Sequence, residues 1–235
     1  LMLIIAIMVL CIYFQEGFEN DNKLIAIIPV RDREQQLKEY LDHIIPIFKH
    51  QKIDYKIYIV EQSEKKHFNK AKINNIGFLE SVKENKDVER YLFNDVDNYP
   101  KDKDIIPYKT SLNSVHHFYG DKRWLGGFYT ISKTIYEKIN GYSNDFWGWG
   151  GEDGDFLNRL NVFNIAIDRN VFFNRRSTNL IQDEKNERRL AISYDEFRKK
   201  KAVKNKSYLK DKNNVYLDGL TTCDYNILKK NVSKD

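Results

Sequence analysis

Residues 24–30 (LIAIIPV) form an unbroken apolar run rich in Ile, the pattern of a strand buried on both faces. Residues 55–60 (YKIYIV) alternate and read as a second strand. Between them Leu37, Leu41, Ile44, Ile45 and Phe48 recur at helical spacing over residues 34–50, with Pro46 demanding a break or a kink. Ile73, Ile76, Leu79 and Val82 step by three across residues 69–84, with Ala71 and Phe78 beside them. This predicts a second amphipathic helix, weakened a little by Gly77. Tyr91-Leu92-Phe93 reads as a third strand. Strand, helix, strand, helix, strand predicts an α/β domain with a mostly parallel central sheet, flanking helices and right-handed crossovers.

Residues 1–14 (LMLIIAIMVLCIYF) carry no charge, and no small-residue cleavage site follows them. The run is shorter than the roughly 20 residues of a spanning helix. Its composition nevertheless predicts a retained hydrophobic signal-anchor with a short linker over residues 1–22, ahead of one domain over 23–235. The alternatives are a buried N-terminal strand or a cleaved signal.

Composition narrows the classes. The chain of 235 residues is 41% hydrophobic and 31% charged, which excludes a disordered or low-complexity protein. Two cysteines exclude a disulfide scaffold. A net charge of +5 with both signs interspersed gives little support to a nucleic-acid partner, and the basic run beginning at Arg198 reads as a solvated face.

The candidate chemistry sits at strand ends, where α/β sheets bind ligands. Arg31 and Arg33 follow the first strand, and guanidinium forks suit a phosphate. Asp95 and Asp97 follow the third, and paired carboxylates suit Mg²⁺ or Mn²⁺. A nucleotide diphosphate bridged by metal would use both; a solvated Arg-x-Arg and an ordinary Asp-x-Asp turn are the plainer reading. Residues 146–155 (FWGWGGEDGD) are rarer still, with two Trp, four Gly and three carboxylates. Trp offers a flat face to a sugar ring, and adjacent carboxylates can bind hydroxyls and take a proton from one. Here the plainer alternative is a tight turn that packs both Trp and then starts a helix.

In this order the motifs resemble the β-1,4-galactosyltransferase family, glycosyltransferase family 7. The resemblance runs from Ile25 to about Leu220: Ile28-Pro29-Val30-Arg31-Asp32-Arg33, Phe68-Asn69-Lys70-Ala71-Lys72, Phe93-Asn94-Asp95-Val96-Asp97, Gly126-Gly127, Trp147 to Asp153, and Asp218-Gly219-Leu220. It implies a GT-A-type fold and inverting transfer of galactose from UDP-galactose. It also implies a single-pass type II membrane protein facing the Golgi lumen in a eukaryote. Pro29, Arg31, Arg33, Phe68, Lys70, Val96, Asp97 and Gly127 would hold the nucleotide sugar. Trp149, Gly151, Glu152 and Asp153 would hold an acceptor ending in N-acetylglucosamine, glucose or xylose, with Glu152 and Asp153 catalytic and Asp153 the general base. Asp97, with Asp95 as second candidate, would bind Mn²⁺.

The chain departs from the family pattern in several places. Lys70 stands for an Arg. Gly154 interrupts an acidic run. Trp124 stands for a Tyr that tunes galactose against N-acetylgalactosamine. The family's metal-ligand His has no counterpart, since no His follows His117 and the matching stretch reads RRSTNLIQDEKN. A weakened metal site is therefore expected, with Arg175 and Arg176 as substitutes for its charge and Asn179 and Asp183 as poor ligands. A UDP-N-acetylgalactosamine transferase and a degenerate sugar- or nucleotide-binding relative remain as alternatives.

Overall fold

Strand β2 (Lys23–Val30) lies between β3 (Asp54–Gln62) and β4 (Arg90–Asn94), parallel to both. In this computed structural model the described residues are 5–13, 22–63, 67–148, 150–174, 177–182 and 212–233. The unbroken apolar run of β2 is explained by cover on both faces. Ile25 and Ile27 pack with Ile73, Ile76 and Phe78 of α2 (Lys70–Glu84). Leu24, Ala26 and Ile28 pack with Tyr40, Ile44 and Phe48 of α1 (Glu34–His50) on the other side.

Helix α1 runs through Pro46 without a break. Pro46 and Asp42, whose carbonyl loses its helical partner, are both exposed, so water can satisfy that oxygen while Ile44, Ile47 and Phe48 hold the helix to the sheet. Gly77 also has a packing reason. A Cβ there would stand 2.7 Å from Ile27 Cγ2 and 2.9 Å from Val60 Cγ2, so its absence lets α2 approach the sheet.

Beyond the parallel centre the sheet is mixed: with β1 (Ile5–Tyr13), β6 (Val115–Gly120), β7 (Phe128–Ser132), β8 (Ile167–Asp168) and β11 (Tyr225–Ser233) its order is β11-β1-β3-β2-β4-β7-β6-β8, and β9 (Phe173–Asn174) also pairs with β6. Strand β7 (Phe128–Ser132) runs antiparallel to β4 and to β6 (Val115–Gly120). Short strands β8 (Ile167–Asp168) and β9 (Phe173–Asn174) pair with β6. Strands β5 (Asn98–Pro100) and β10 (Leu180–Gln182) form a separate pair. Helices α3 (Lys133–Lys138) and α4 (Glu152–Val162) join α2 on its face.

The apolar run expected to be an anchor supplies a strand. Ile5–Tyr13 forms β1, antiparallel to β3 and parallel to β11 (Tyr225–Ser233). Nine apolar residues suit a strand inside a sheet and are too short for a spanning helix. Among the described residues no helix is long and apolar enough to cross a membrane.

Candidate functional site

Four segments converge at the carboxyl ends of β2 and β4: the Arg31–Arg33 turn, the Asp95–Asp97 turn, the start of α2 and the start of α4. Buried Asn94 shapes the second of them. Its amide donates to the carbonyls of Asp95 (2.9 Å), Asn98 (3.0 Å) and Gly127 (3.3 Å) and to Asn98 Oδ1, while Tyr40 Oη donates to Asn94 Oδ1 at 3.1 Å. The Asp95 N–H donates to the Gly127 carbonyl at 2.8 Å. The turn is thus fixed before any ligand arrives, and Gly127 serves it from below. Val96 is buried in the core on the α1 side.

The Arg33 guanidinium faces Asp97 at 3.5 Å. Arg31 lies over the Phe68 ring, its Cζ 5.3 Å from the centroid, which pins the guanidinium at the mouth of the site. Pro29 is buried just before these arginines in β2.

Lys70 is the centre of the site. It is the first residue of α2, whose N-cap is Asn69: the Asn69 side chain accepts from the Lys72 N–H at 2.8 Å and donates to the Asn144 carbonyl at 2.7 Å. The Lys70 ammonium lies 3.0 Å from Asp153 Oδ1, 3.2 Å from Glu152 Oε1 and 3.6 Å from Asp95 Oδ1. Burial alone would lower its pKa. Asp153, Asp95 and Glu152 outweigh that and hold it above the usual lysine range.

Glu152 and Asp153 open α4, behind Gly151 at the N-cap. Asp153 is squeezed against Gly126, where a Cβ would fall 2.1 Å from its carboxyl carbon, so only glycine admits it. Leu125 N–H also donates to the Asp153 carbonyl at 3.1 Å. Burial pushes the Asp153 carboxyl up to about 7; Lys70 opposes the shift, and Glu152 and Asp95 add to it. Burial likewise pushes Asp95 up to about 6, against Lys70 and with Asp97. Glu152 Oε2 is buried and has no hydrogen-bond partner among the described residues. An acceptor-only atom so placed is suited to a ligand hydroxyl.

The structure brings Arg31, Arg33, Phe68, Lys70, Asp95, Asp97, Glu152 and Asp153 to one end of the sheet. Trp149, Arg175, Arg176 and Asp183 lie outside the described residues, and the exposed Asn179 gives its carbonyl to the Lys101 N–H at 3.1 Å. The Asp218-Gly219-Leu220 motif is a brace. Asp218 accepts from Ser143 Oγ and from the Asn144 N–H, and its carbonyl takes a hydrogen bond from Arg159 at 2.7 Å. Fully buried Arg159 also pairs with Asp155 at 2.9 Å and reaches the carbonyls of Ile139, Asn140 and Gly141.

The cluster of Lys70 with Asp95, Glu152 and Asp153 was not read from the sequence. One signal was available: a lysine at the first position of a helix opposes the helix dipole, and α2 has no acidic residue in its own first turn. Such a lysine needs carboxylates from elsewhere.

Among the described residues the donor set does not fit a tightly held divalent ion. Asp95 faces Lys70, Asp97 faces Arg33, and among the described residues no group of three or more His, Cys, Asp or Glu could hold a metal. His117 takes a hydrogen bond at Nδ1 from Arg169 and meets the Tyr119 and Gly126 carbonyls with Nε2, and its pKa is pushed down to about 4, by burial first and Arg169 second.

The fold is that of the GT-A glycosyltransferases. It is similar to the catalytic domain of Drosophila beta1,4galactosyltransferase 7 solved with xylobiose (TM-score 0.66, 19% identity, 86% of this chain and 84% of that one). A mutant of that protein solved with manganese, UDP-Gal and xylobiose gives a TM-score of 0.62 at 20% identity, over 74% and 78% of the two chains. Residues 12–110 match the family described as the N-terminal region of glycosyl transferase group 7, and residues 107–180 the one described as the N-terminal domain of galactosyltransferase. The chain belongs to glycosyl transferase group 7. Among its relatives, human beta-1,4-galactosyltransferase 4 is 35% identical over 156 residues (63% of this chain, 45% of the relative). Mouse beta-1,4-galactosyltransferase 1 is 38% identical over 186 residues (74% and 46%). The chain spans about half the length of these curated relatives.

Proposed function

We propose that this protein is an inverting hexosyltransferase that moves galactose from UDP-galactose to a hydroxyl of a terminal sugar, forming a β-1,4 link. One observation carries the reading: Asp153, a carboxylate at a helix start, is raised to about 7 by burial beside Glu152, whose second oxygen awaits a donor. A base poised near neutral pH is suited to taking a proton from an alcohol.

Arg31 and Arg33 offer guanidinium donors to the diphosphate at the strand end, and Phe68 holds Arg31 in place. Glu152 accepts from an acceptor hydroxyl and orients it. Asp153 removes the proton from the reacting hydroxyl. That oxygen attacks the anomeric carbon from the face opposite the nucleotide. The bond from that carbon to the diphosphate oxygen breaks, and UDP leaves with the electron pair. Lys70, held between the base and Asp95, offsets charge across the site. Mn²⁺, the ion in the Drosophila complex, would find Asp97 and Asp95 here and be held weakly; when bound it supplies Lewis-acid charge to the diphosphate. A xylose-ending or an N-acetylglucosamine- or glucose-ending glycan is the acceptor class, the first because xylobiose occupies the Drosophila neighbour.

The test is UDP release by the full chain from UDP-galactose and UDP-N-acetylgalactosamine over a panel of those acceptors, beside Asp153→Asn. Acceptor-dependent turnover with UDP-galactose, reduced at least about a thousandfold in Asp153→Asn with UDP binding retained, is expected. UDP binding without turnover on any acceptor would make the chain a degenerate binding relative. No UDP binding would end the reading altogether.

A further inference from the structure

The two aspartates that follow β4 are each already answered by a cation of this chain. Lys70 lies 3.6 Å from Asp95, and Arg33 lies 3.5 Å from Asp97. Lys70 at the same time bridges Glu152 and Asp153 across the site, at 3.2 and 3.0 Å, with only 15% of its side chain exposed. Its ammonium is therefore the hub where the β4 end meets the start of α4. Four carboxylates (Asp95, Asp97, Glu152, Asp153) face two basic side chains, Lys70 and Arg33, with Arg31 nearby over Phe68. A divalent ion entering at Asp95 and Asp97 competes with Lys70 for the first carboxylate and with Arg33 for the second. Four of the five histidines are engaged elsewhere: His116 with Asp168, His117 with the Tyr119 and Gly126 carbonyls, His50 with Asp104, and His43 against Tyr99, while the exposed His67 precedes α2 and gives its carbonyl to Gln62.

We propose that Lys70 is the resident cation of this site and that it, with Arg33, supplies the charge neutralisation a divalent ion would otherwise bring, so that the chain takes a nucleoside diphosphate without needing a metal. The proposal rests on the nucleotide reading above only in its last clause. Its first clause concerns Lys70 and the carboxylates alone. Lysine suits this role as a compact point charge that can face three carboxylates at once, where an arginine fork would commit to one or two.

Two measurements test it, neither of them turnover. In the first, Mn²⁺ is titrated against the nucleotide-free chain, Lys70→Ala and Lys70→Arg, with free Mn²⁺ followed by electron paramagnetic resonance. Removing the ammonium leaves three carboxylates around an open position, so Lys70→Ala should bind Mn²⁺ at least about tenfold tighter than the unmodified chain, while Lys70→Arg should not. Tight Mn²⁺ binding by the unmodified chain that Lys70→Ala leaves unchanged or weakens would overturn the proposal. In the second, UDP binding to the unmodified chain is measured calorimetrically in EDTA and in Mn²⁺. The two affinities should agree within about threefold, and Lys70→Ala should lose about tenfold in EDTA and recover in Mn²⁺. A collapse of UDP binding by the unmodified chain in EDTA, restored by Mn²⁺, would also overturn it, and this arm needs no variant to fold. If UDP binds in neither condition, the nucleotide reading fails, and the Mn²⁺ titration still decides the role of Lys70.

Discussion

The indole of Trp124 lies over Gly154, so close that a Cβ on Gly154 would stand 3.3 Å from Cε3. These are two of the places where the sequence departs from its family pattern, and the fold makes them neighbours. The missing side chain in the acidic run is what leaves room for the larger ring. Trp124 is 40% exposed, so its outer edge is free to yield.

Gly154→Ala is therefore expected to stabilise the chain. Gly154 sits inside α4, where alanine is better by roughly 1 kcal/mol, and the contact asks only a small shift of a ring with room to move. A rise in Tm of about 2–4 °C is expected for a chain of this size. A fall would mean the indole is held more rigidly than its exposure implies. Gly154→Asp should push the ring aside and raise the acceptor KM while leaving UDP affinity unchanged; an unchanged KM would separate this pair from the acceptor.

The raised carboxyl of Asp153 sets the pH behaviour. Its folded pKa of about 7 stands above the ordinary 3.8, and that of Asp95 stands near 6. Below about pH 7 the proposed base is protonated, so kcat/KM should fall about tenfold per pH unit there. The sign for stability is opposite. Between about pH 4 and 7 the native chain keeps protons that the unfolded chain has released, so stability declines as pH rises through that window. Asp153→Asn should remove its share of the decline and raise Tm at pH 8 by a few degrees while abolishing turnover. Thermal melts at pH 5 and pH 8 for both chains decide it; a lower Tm for the variant at pH 8 would mean the Lys70 contact outweighs the burial of the charge.

Arg159 is expected to be a stability residue with no catalytic share. It is fully buried, pairs with Asp155 at 2.9 Å and ties α4 to the 139–141 turn and to Asp218. Arg159→Ala would leave Asp155 buried without its partner, at a cost of about 3–5 kcal/mol. Urea unfolding should show this as a lower midpoint. Arg159→Lys, which keeps the charge but not the fork, should recover only part of it.

Removing residues 1–22 takes away β1, which pairs with β3 from Ile7 opposite Gln62 to Tyr13 opposite Lys56. An open edge on β3 and a stranded β11 should lower Tm by several degrees and promote aggregation, since an unpaired edge recruits other chains. An unchanged Tm with improved solubility would instead favour the membrane-anchor expectation for this segment. Differential scanning fluorimetry with light scattering distinguishes them.

The centre of the fold was legible because its signals are local. The Ile-rich run of β2, the alternation of β3 and the three-residue steps of α2 each declare their element, and the arginines, aspartates and Glu152-Asp153 follow from strand and helix ends. Strands β6 to β9 were missed because their segments carry no clean period: Val115–Gly120 mixes two His with aromatics, and β8 and β9 are two residues each. Residues 5–13 left anchor and strand open because an apolar run looks alike in a sheet and in a membrane until its pairing partners are known; the fold pairs them with β3 and β11. Lys70's role was illegible because its three carboxylates come from positions 25 to 83 residues further along the chain, a relation made by the fold alone.

The pairing of Ile5 with Tyr225 sets a schedule for the molecule's birth. Closing the long loop from β1 to β11 is slow and cannot begin on the ribosome until β11 has emerged. Until then β1 can zip against β3 on one side only, and its other backbone edge waits, open to any passing strand. Strand β1 is thus made long before it is sealed, and a nascent chain that stops short of β11 would carry that exposed edge into the cell.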